Sequence, residues 1–133
     1  MRVREFMTSR VVCVELDDSL QVVKEIFANT RFHHLLVVDN HKLRGVISDR
    51  DLLKALSPNI GTLAETKRDV ATLNKHAHQI MSRNLVTLHA DASLEDVVDV
   101  FSSCRISCVP IVDQHGNVEG IVSWRDLLQF VRI

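Results

Sequence analysis

The chain is written twice, and that duplication restricts its fold more than any other feature of the sequence. With Met7 laid on Met81, an offset of 74 residues, Val12 meets Val86, Asp17 meets Asp91, and Ser19-Leu20 meets Ser93-Leu94. Val23 then meets Val97, Phe27 meets Phe101, Arg31 meets Arg105, Val38-Asp39 meets Val112-Asp113, and His41 meets His115. One extra residue near Gly116 moves the offset to 75. Gly45 then meets Gly120, Ser48 meets Ser123, and Arg50-Asp51-Leu52-Leu53 meets Arg125-Asp126-Leu127-Leu128. Unrelated segments of ordinary composition would agree at about one position in fifteen. This is a tandem duplication.

Both copies spell the same series of elements. Val11–Val14 and Leu85–Leu88 are short β-prone runs. Leu20, Val23, Ile26 and Phe27, with Leu94, Val97, Val98, Val100 and Phe101 in the partner copy, have the spacing of a helix with one buried face. Asp17, Asp18, Asp91 and Ser93 are candidate caps for these helices. Leu35–Val38 and Val109–Val112 are apolar throughout, as buried strands are, with Pro110 suggesting a sheet edge or a strand start. Hairpin-type residues follow at 39–42 and 113–117, then a second strand and a helix opening at Ser48 or Ser123. The order is β-α-β-β-α, twice, so the expected class is α/β (α+β). Residues 1–57 form the first repeat, 58–75 a connector and 76–133 the second repeat. Within the connector, Thr72 is a candidate start for a short helix running to Ile80. Some fifty to sixty residues carry too little core to stand alone. The copies are therefore expected to pack together with pseudo-twofold symmetry.

Composition narrows the function. Sixteen Lys and Arg against seventeen Asp and Glu leave a formal charge of -1, whereas a nucleic-acid binder usually shows a basic excess. No apolar run reaches the length of a membrane span, and Met1–Glu5 lacks the apolar core of a signal peptide. Three cysteines in no framework spacing point to reduced thiols and a cytoplasmic location.

The sharpest local signal is Gly45-Val46-Ile47-Ser48-Asp49-Arg50-Asp51 and its twin Gly120-Ile121-Val122-Ser123-Trp124-Arg125-Asp126. Ser-x-x-Asp at the start of a helix is a capping box. Two further features suggest a ligand as well. The glycine lets another group approach the backbone closely, and an arginine lies beside each aspartate. Free amides, a hydroxyl and an arginine suit an anion. A carboxylate suits a vicinal diol such as ribose, whose two hydroxyls can both donate to it. Diol plus phosphate describes a nucleotide.

The duplicated unit, with Gly-h-h-Ser-x-x-Asp (h apolar) ending each second strand, resembles a pair of CBS domains, a Bateman module, over Met7–Leu56 and Ile80–Phe130. The resemblance implies a regulatory module that is not an enzyme. It would need no cofactor and would bind an adenosyl ligand such as AMP, ADP, ATP or S-adenosylmethionine between the repeats. It further implies a homodimer and a separate regulated protein. One pocket would use Ser123 and Asp126 with Met7, Val12, His33 and His34; the other would use Ser48 and Asp51 with Met81, Val86, Ser107 and Cys108. The aspartates would hold ribose hydroxyls, main chain near Val12 and Val86 would read adenine, and His33, His34, Arg50 and Arg125 would meet phosphates. Because His33-His34 faces Ser107-Cys108 across the repeat, the pocket with the histidines is expected to bind more tightly. The alternative is a structural dimerisation module with vestigial pockets.

Other residues carry less. Adjacent strand residues such as His33 and His34 point to opposite faces and do not chelate one ion. Cys104 and Cys108 lack a second ligand pair and read as buried thiols, and no metal set is expected. His76 and His78 read as solvated connector residues. Trp124 is expected to be partly exposed, packing at an interface or stacking on a base.

Overall fold

The computed structural model describes residues 1–131; Arg132 and Ile133, the end of the second repeat, lie outside the described residues. A 3-10 turn (Val3–Glu5) precedes β1 (Cys13–Glu15), α1 (Leu20–Asn29), β2 (His34–Asp39), β3 (Lys42–Ser48) and α2 (Asp49–Ala55). The connector holds α3 (Lys67–Ala71) and a second 3-10 turn (Thr72–Asn74), and α4 (Ala77–Ile80) follows at the start of the second repeat. The second copy supplies α5 (Leu94–Ser103), β4 (Cys108–Val112), β5 (Val118–Ser123) and α6 (Trp124–Leu128). The class is α+β, as the repeat pattern requires.

Serine sets the helix starts. Ser19 Oγ accepts the Val22 N–H at 3.4 Å, and Ser93 Oγ accepts the Asp96 N–H at 3.1 Å while Asp96 returns a bond to the Ser93 N–H. Asp17, Asp18 and Asp91 are not the caps. Asp18 instead accepts the Glu15 N–H, closing the turn after β1, and Asp91 pairs with Arg4. In the connector the helix expected from Thr72 begins earlier. Thr66 caps α3, Thr72 opens only one 3-10 turn, and extended backbone at Lys75 and His76 separates it from α4.

The chain forms two compact units whose boundaries cross those of the repeats. One contains Val12–Asp39 and Arg44–Arg83; the other contains Met1–Val11, Asn40–Leu43 and Asn84–Ile133. The first copy is thus completed by the connector and by residues 76–83, which the repeat boundaries place in the second copy. In its unit the Ala77 N–H donates to Asp18 O (2.8 Å), the His78 N–H to Leu16 O (3.1 Å) and the Leu20 N–H to Lys75 O (2.8 Å). The amino terminus does the same for the second copy. There the Val3 N–H donates to Ala92 O (2.8 Å), the Arg4 N–H to Ala90 O (3.1 Å) and the Leu94 N–H to Met1 O (3.1 Å). Each bond lies 74 residues from its twin.

Each unit has its own core. Val14, Leu20, Val23, Leu35, Val37, Ile47, Leu52, Ala77 and Met81 fill the first. Val3, Phe6, Val97, Phe101, Val109, Ile111, Val122 and Leu127 fill the second. In the first, β1 pairs parallel with β2, Cys13 opposite Leu36, in the sheet order β1-β2-β3. In the second, β4 and β5 are antiparallel, and the strand expected at Leu85–Leu88 is reduced to one bridge between Leu88 and Ile111. Proline explains the loss. In the first copy the Leu36 N–H donates to Val12 O at 3.2 Å, whereas the counterpart of Leu36 is Pro110, which has no N–H to give Val86. Pro110 sits mid-strand opposite Ile121 of β5, and on the other side its carbonyl accepts the Leu88 N–H at 3.2 Å. The extra residue of the second copy lies in the hairpin. Asn40 and His41, both with positive φ, make the two-residue turn of the first copy, and the longer turn of the second has Gly116 at φ 84°.

Candidate functional site

Both motif copies end a strand at a serine and open a helix at once, so the carboxylate three residues on sits at the free amides of the helix. In the first, the Ser48 N–H donates to Asp51 Oδ2 at 2.8 Å and the Asp51 N–H donates to Ser48 Oγ at 3.1 Å. In the second, the Ser123 N–H donates to Asp126 Oδ2 at 2.9 Å, while the Ser123 hydroxyl lies 3.5 Å from the same oxygen. Both aspartates are half-buried. Capping uses one oxygen of each carboxylate, which leaves each aspartate a second oxygen and further lone pairs.

Sequence reasoning missed the residue that engages that second oxygen. Thr8 Oγ1 donates to Asp126 Oδ1 at 3.0 Å, holding the carboxylate from both sides. Its counterpart Ser82 makes no such bond to Asp51 among the described residues. The signal was present in Met7-Thr8 and Met81-Ser82, which align as a thioether followed by a hydroxyl. Main chain fixes both segments, since the Thr8 N–H donates to Ile121 O and the Ser82 N–H to Val46 O, each at 2.8 Å.

The two glycines answer to the methionines. A Cβ on Gly45 would lie 2.5 Å from Met81 Sδ, and a Cβ on Gly120 would lie 2.7 Å from Met7 Sδ and 2.9 Å from Thr8 O. The close approach that glycine permits is therefore made by the protein itself. Met81 is buried and Met7 half-buried, each beside its motif strand.

The remaining sequence candidates divide between the units. With Ser48, Asp51 and Met81 lie Val12, His33, His34 and Arg50; with Ser123, Asp126 and Met7 lie Val86, Ser107, Cys108 and Arg125. Arg50 and Arg125 are exposed, and among the described residues neither enters an ion pair. His33 Nδ1 lies 2.9 Å from Asp49 Oδ2, and this contact holds the Asp49 carboxyl below its ordinary range. His34 is half-buried, and burial, aided by His33, pushes its pKa down against the opposing pull of Asp49 and Asp51. At neutral pH His34 is therefore uncharged. The counterpart of Asp49 is Trp124, half exposed, whose ring packs on Phe101 with centroids 4.8 Å apart. Burial pushes the Cys108 thiol up to about 12, leaving it protonated and unreactive, while Cys104 is half-buried and Cys13 exposed.

The lowered pKa of His34 gives a pH dependence. The unfolded chain takes a proton near pH 6.5 and the folded chain only at lower pH, so this stabilisation is complete above about pH 6.5 and is lost as pH falls towards the folded value. Thermal melts from pH 7.5 to 5 should show falling midpoints, and His34→Gln should flatten that slope.

The chain is thus a duplicated α+β unit with a capped, half-buried carboxylate at each motif helix. The family model of the CBS domain matches residues 3–58 and 77–133, and the chain belongs to that family. It is 31% identical to an L-aspartate semialdehyde sulfurtransferase of Methanocaldococcus jannaschii over 94% of this chain, spanning 22% of that protein. It is also 31% identical to a CBS domain-containing protein of Dictyostelium discoideum, over 97% of this chain and 90% of the other. Among solved structures, it resembles the CBS domain pair of protein MJ0100 in complex with 5'-methylthioadenosine and S-adenosyl-L-methionine. That likeness has a TM-score of 0.78 and 28% identity, covering 97% of this chain and 94% of the other.

Proposed function

We propose that this chain is a regulatory module that senses an adenosyl compound, with Asp51 and Asp126 accepting the ribose hydroxyls. The observation that carries the reading is the half-buried carboxylate held by its own helix cap, with acceptor capacity left over. The likeness to the MJ0100 domain pair, which holds two adenosyl ligands, supports the ligand class. Ser48 and Ser123 lie at the same helix starts, and the exposed guanidiniums of Arg50 and Arg125 suit a phosphate or carboxylate tail. Val12 and Val86 differ in one respect that bears on adenine. The Val12 carbonyl takes the Leu36 N–H, whereas Pro110 leaves the Val86 carbonyl without that donor. An exocyclic amino group could fill that place. Titration calorimetry with 5'-methylthioadenosine, S-adenosylmethionine, AMP, ATP and NAD tests the reading. Saturable binding by at least one is expected, and no binding below about 1 mM overturns it.

The dimer belongs to the same proposal. Leu53 and Leu128 occupy equivalent positions on α2 and α6 and are 73% and 61% exposed, a cost that a second copy would remove. Light scattering should then give about twice 15.1 kDa. A ligand-independent dimer without saturable binding would favour a structural dimerisation module instead. A regulated protein partner, separate or fused, follows from the sensing role.

A further inference from the structure

We propose that Asp17, His76 and His78 form a binding site for a divalent transition-metal ion of the zinc class, separate from the motif carboxylates. The three belong to one compact unit, and one ligand atom from each lies within 4.8 Å of the others. Tetrahedral zinc with bonds of about 2.0–2.1 Å needs donor atoms about 3.4 Å apart. The closure required is at most about 1.4 Å, within reach of side-chain rotation, since the Asp17 side chain is 89% exposed.

The backbones that carry the donors are already joined. Main-chain bonds from Ala77 to Asp18 O, from His78 to Leu16 O and from Leu20 to Lys75 O hold the start of α4 on the turn between β1 and α1. His76 Nδ1 lies 2.8 Å from the Asp17 carbonyl oxygen, which can only accept, so Nδ1 carries the proton and Nε2 the lone pair. Metal-binding histidines are oriented in this way, by a carbonyl on the second ring nitrogen. His78 stacks on His76 with rings 14° from parallel, and its Nε2 is 3.8 Å from Asp17 Oδ1. Arg83 bonds the His78 carbonyl, so its charge sits on the main-chain side of that residue.

The second copy shows what this corner of the fold holds. The counterparts of Asp17, His76 and His78 are Asp91, Arg2 and Arg4. Arg2 Nη1 donates to the Asp91 carbonyl at 2.7 Å, as His76 does to Asp17, and Arg4 pairs with the Asp91 carboxylate. There the aspartate is neutralised by permanent cations. In the first copy both guanidiniums are imidazoles, which carry charge only when protonated and offer a metal lone pair when neutral. A bound divalent ion supplies the positive charge that arginine supplies in the other copy. Two imidazoles and one carboxylate select zinc, cobalt, nickel or copper over magnesium, leaving one position for water.

Untagged full-length protein titrated with Co(II) at pH 7.5 should show one equivalent of visible d–d absorption without a thiolate charge-transfer band, and Zn(II) should bleach it. His78→Gln and Asp17→Asn should each weaken binding about tenfold or more. Neither side chain makes the main-chain bonds of this corner, so metal-free melts of both variants should match the parent. Absence of saturable binding below about 100 µM, a thiolate band, or unchanged affinity in both variants would overturn the proposal. The readout is independent of any adenosyl ligand.

Discussion

Gly120→Ala is expected to cost about 3 kcal/mol and to lower the melting midpoint by about 10 °C, at the upper end of what one added methyl does in a packed region. The added Cβ would sit 2.7 Å from Met7 Sδ and 2.9 Å from the Thr8 carbonyl oxygen. The sulfur can swing aside. The carbonyl cannot, because it accepts the Ile121 N–H at 2.9 Å and the Thr8 N–H returns the bond to Ile121 O. Relief requires the amino-terminal segment to lift from β5, loosening the Thr8 hydroxyl on Asp126 with it. Gly45→Ala is expected to cost less, about 2 kcal/mol, because its three nearest obstructions are side-chain atoms of Met81, Sδ at 2.5 Å, Cγ at 2.7 Å and Cβ at 2.9 Å, with no backbone atom among them. Adding Met81→Ala should recover part of that loss as a coupling energy, whereas Met7→Ala should recover little for Gly120→Ala. Denaturant melts of these four variants and of the two single methionine variants decide it. A Gly120→Ala protein within about 0.5 kcal/mol of the parent would mean that the close approach does not exist.

The same segment shows how far the residues alone could be read. The two long helices, the apolar strands and the Gly-h-h-Ser-x-x-Asp turns were legible because side chains make them, through burial at Leu20 and Val97 and capping at Ser48 and Ser123. The equivalence of residues 1–8 and 75–82 was not. Only Met7 and Met81 are identical between these stretches, and what holds each in place is main-chain bonding, which any residue but proline can supply. Proline carries the converse lesson. Pro110 was legible as a strand that could not be fully paired, and the consequence fell on its neighbour, where Leu85–Leu88 failed to form a ladder. His76 is exposed and His78 half-buried, as solvated residues are, and what the residues alone did not show is their contact with Asp17. Their partner Asp17 lies 59 residues away from His76, across contacts that only the folded main chain creates.

Asp51→Asn is expected to separate the two roles that the motif combines. The amide oxygen of asparagine can still accept the Ser48 N–H, now 2.8 Å from the carboxylate, and the backbone N–H of residue 51 can still reach Ser48 Oγ. The cap should therefore survive, with stability changed by a few tenths of a kcal/mol against about 1 kcal/mol for Asp51→Ala. Presentation to a diol changes sharply. A carboxylate offers two charged acceptors, whereas the amide offers one neutral acceptor already used by the cap and an NH2 that meets the ribose hydroxyls as a second donor. Hydrogen bonds to a charged group contribute about 1.5–3 kcal/mol, so affinity at this site should fall about tenfold to a hundredfold. Asp126→Asn should behave differently. Its second oxygen takes the Thr8 hydroxyl, so an amide that turns its NH2 to Thr8 replaces a bond to a charged oxygen with a weaker neutral one that the hydroxyl accepts, besides losing the ligand's. Stability should then drop with affinity, unlike at residue 51, and Thr8→Val should reproduce the stability part alone. Calorimetric titration of the adenosyl ligand that binds the parent, run beside thermal melts of the same samples, measures both quantities. Binding by Asp51→Asn and Asp126→Asn at parental affinity would reduce both motifs to helix caps.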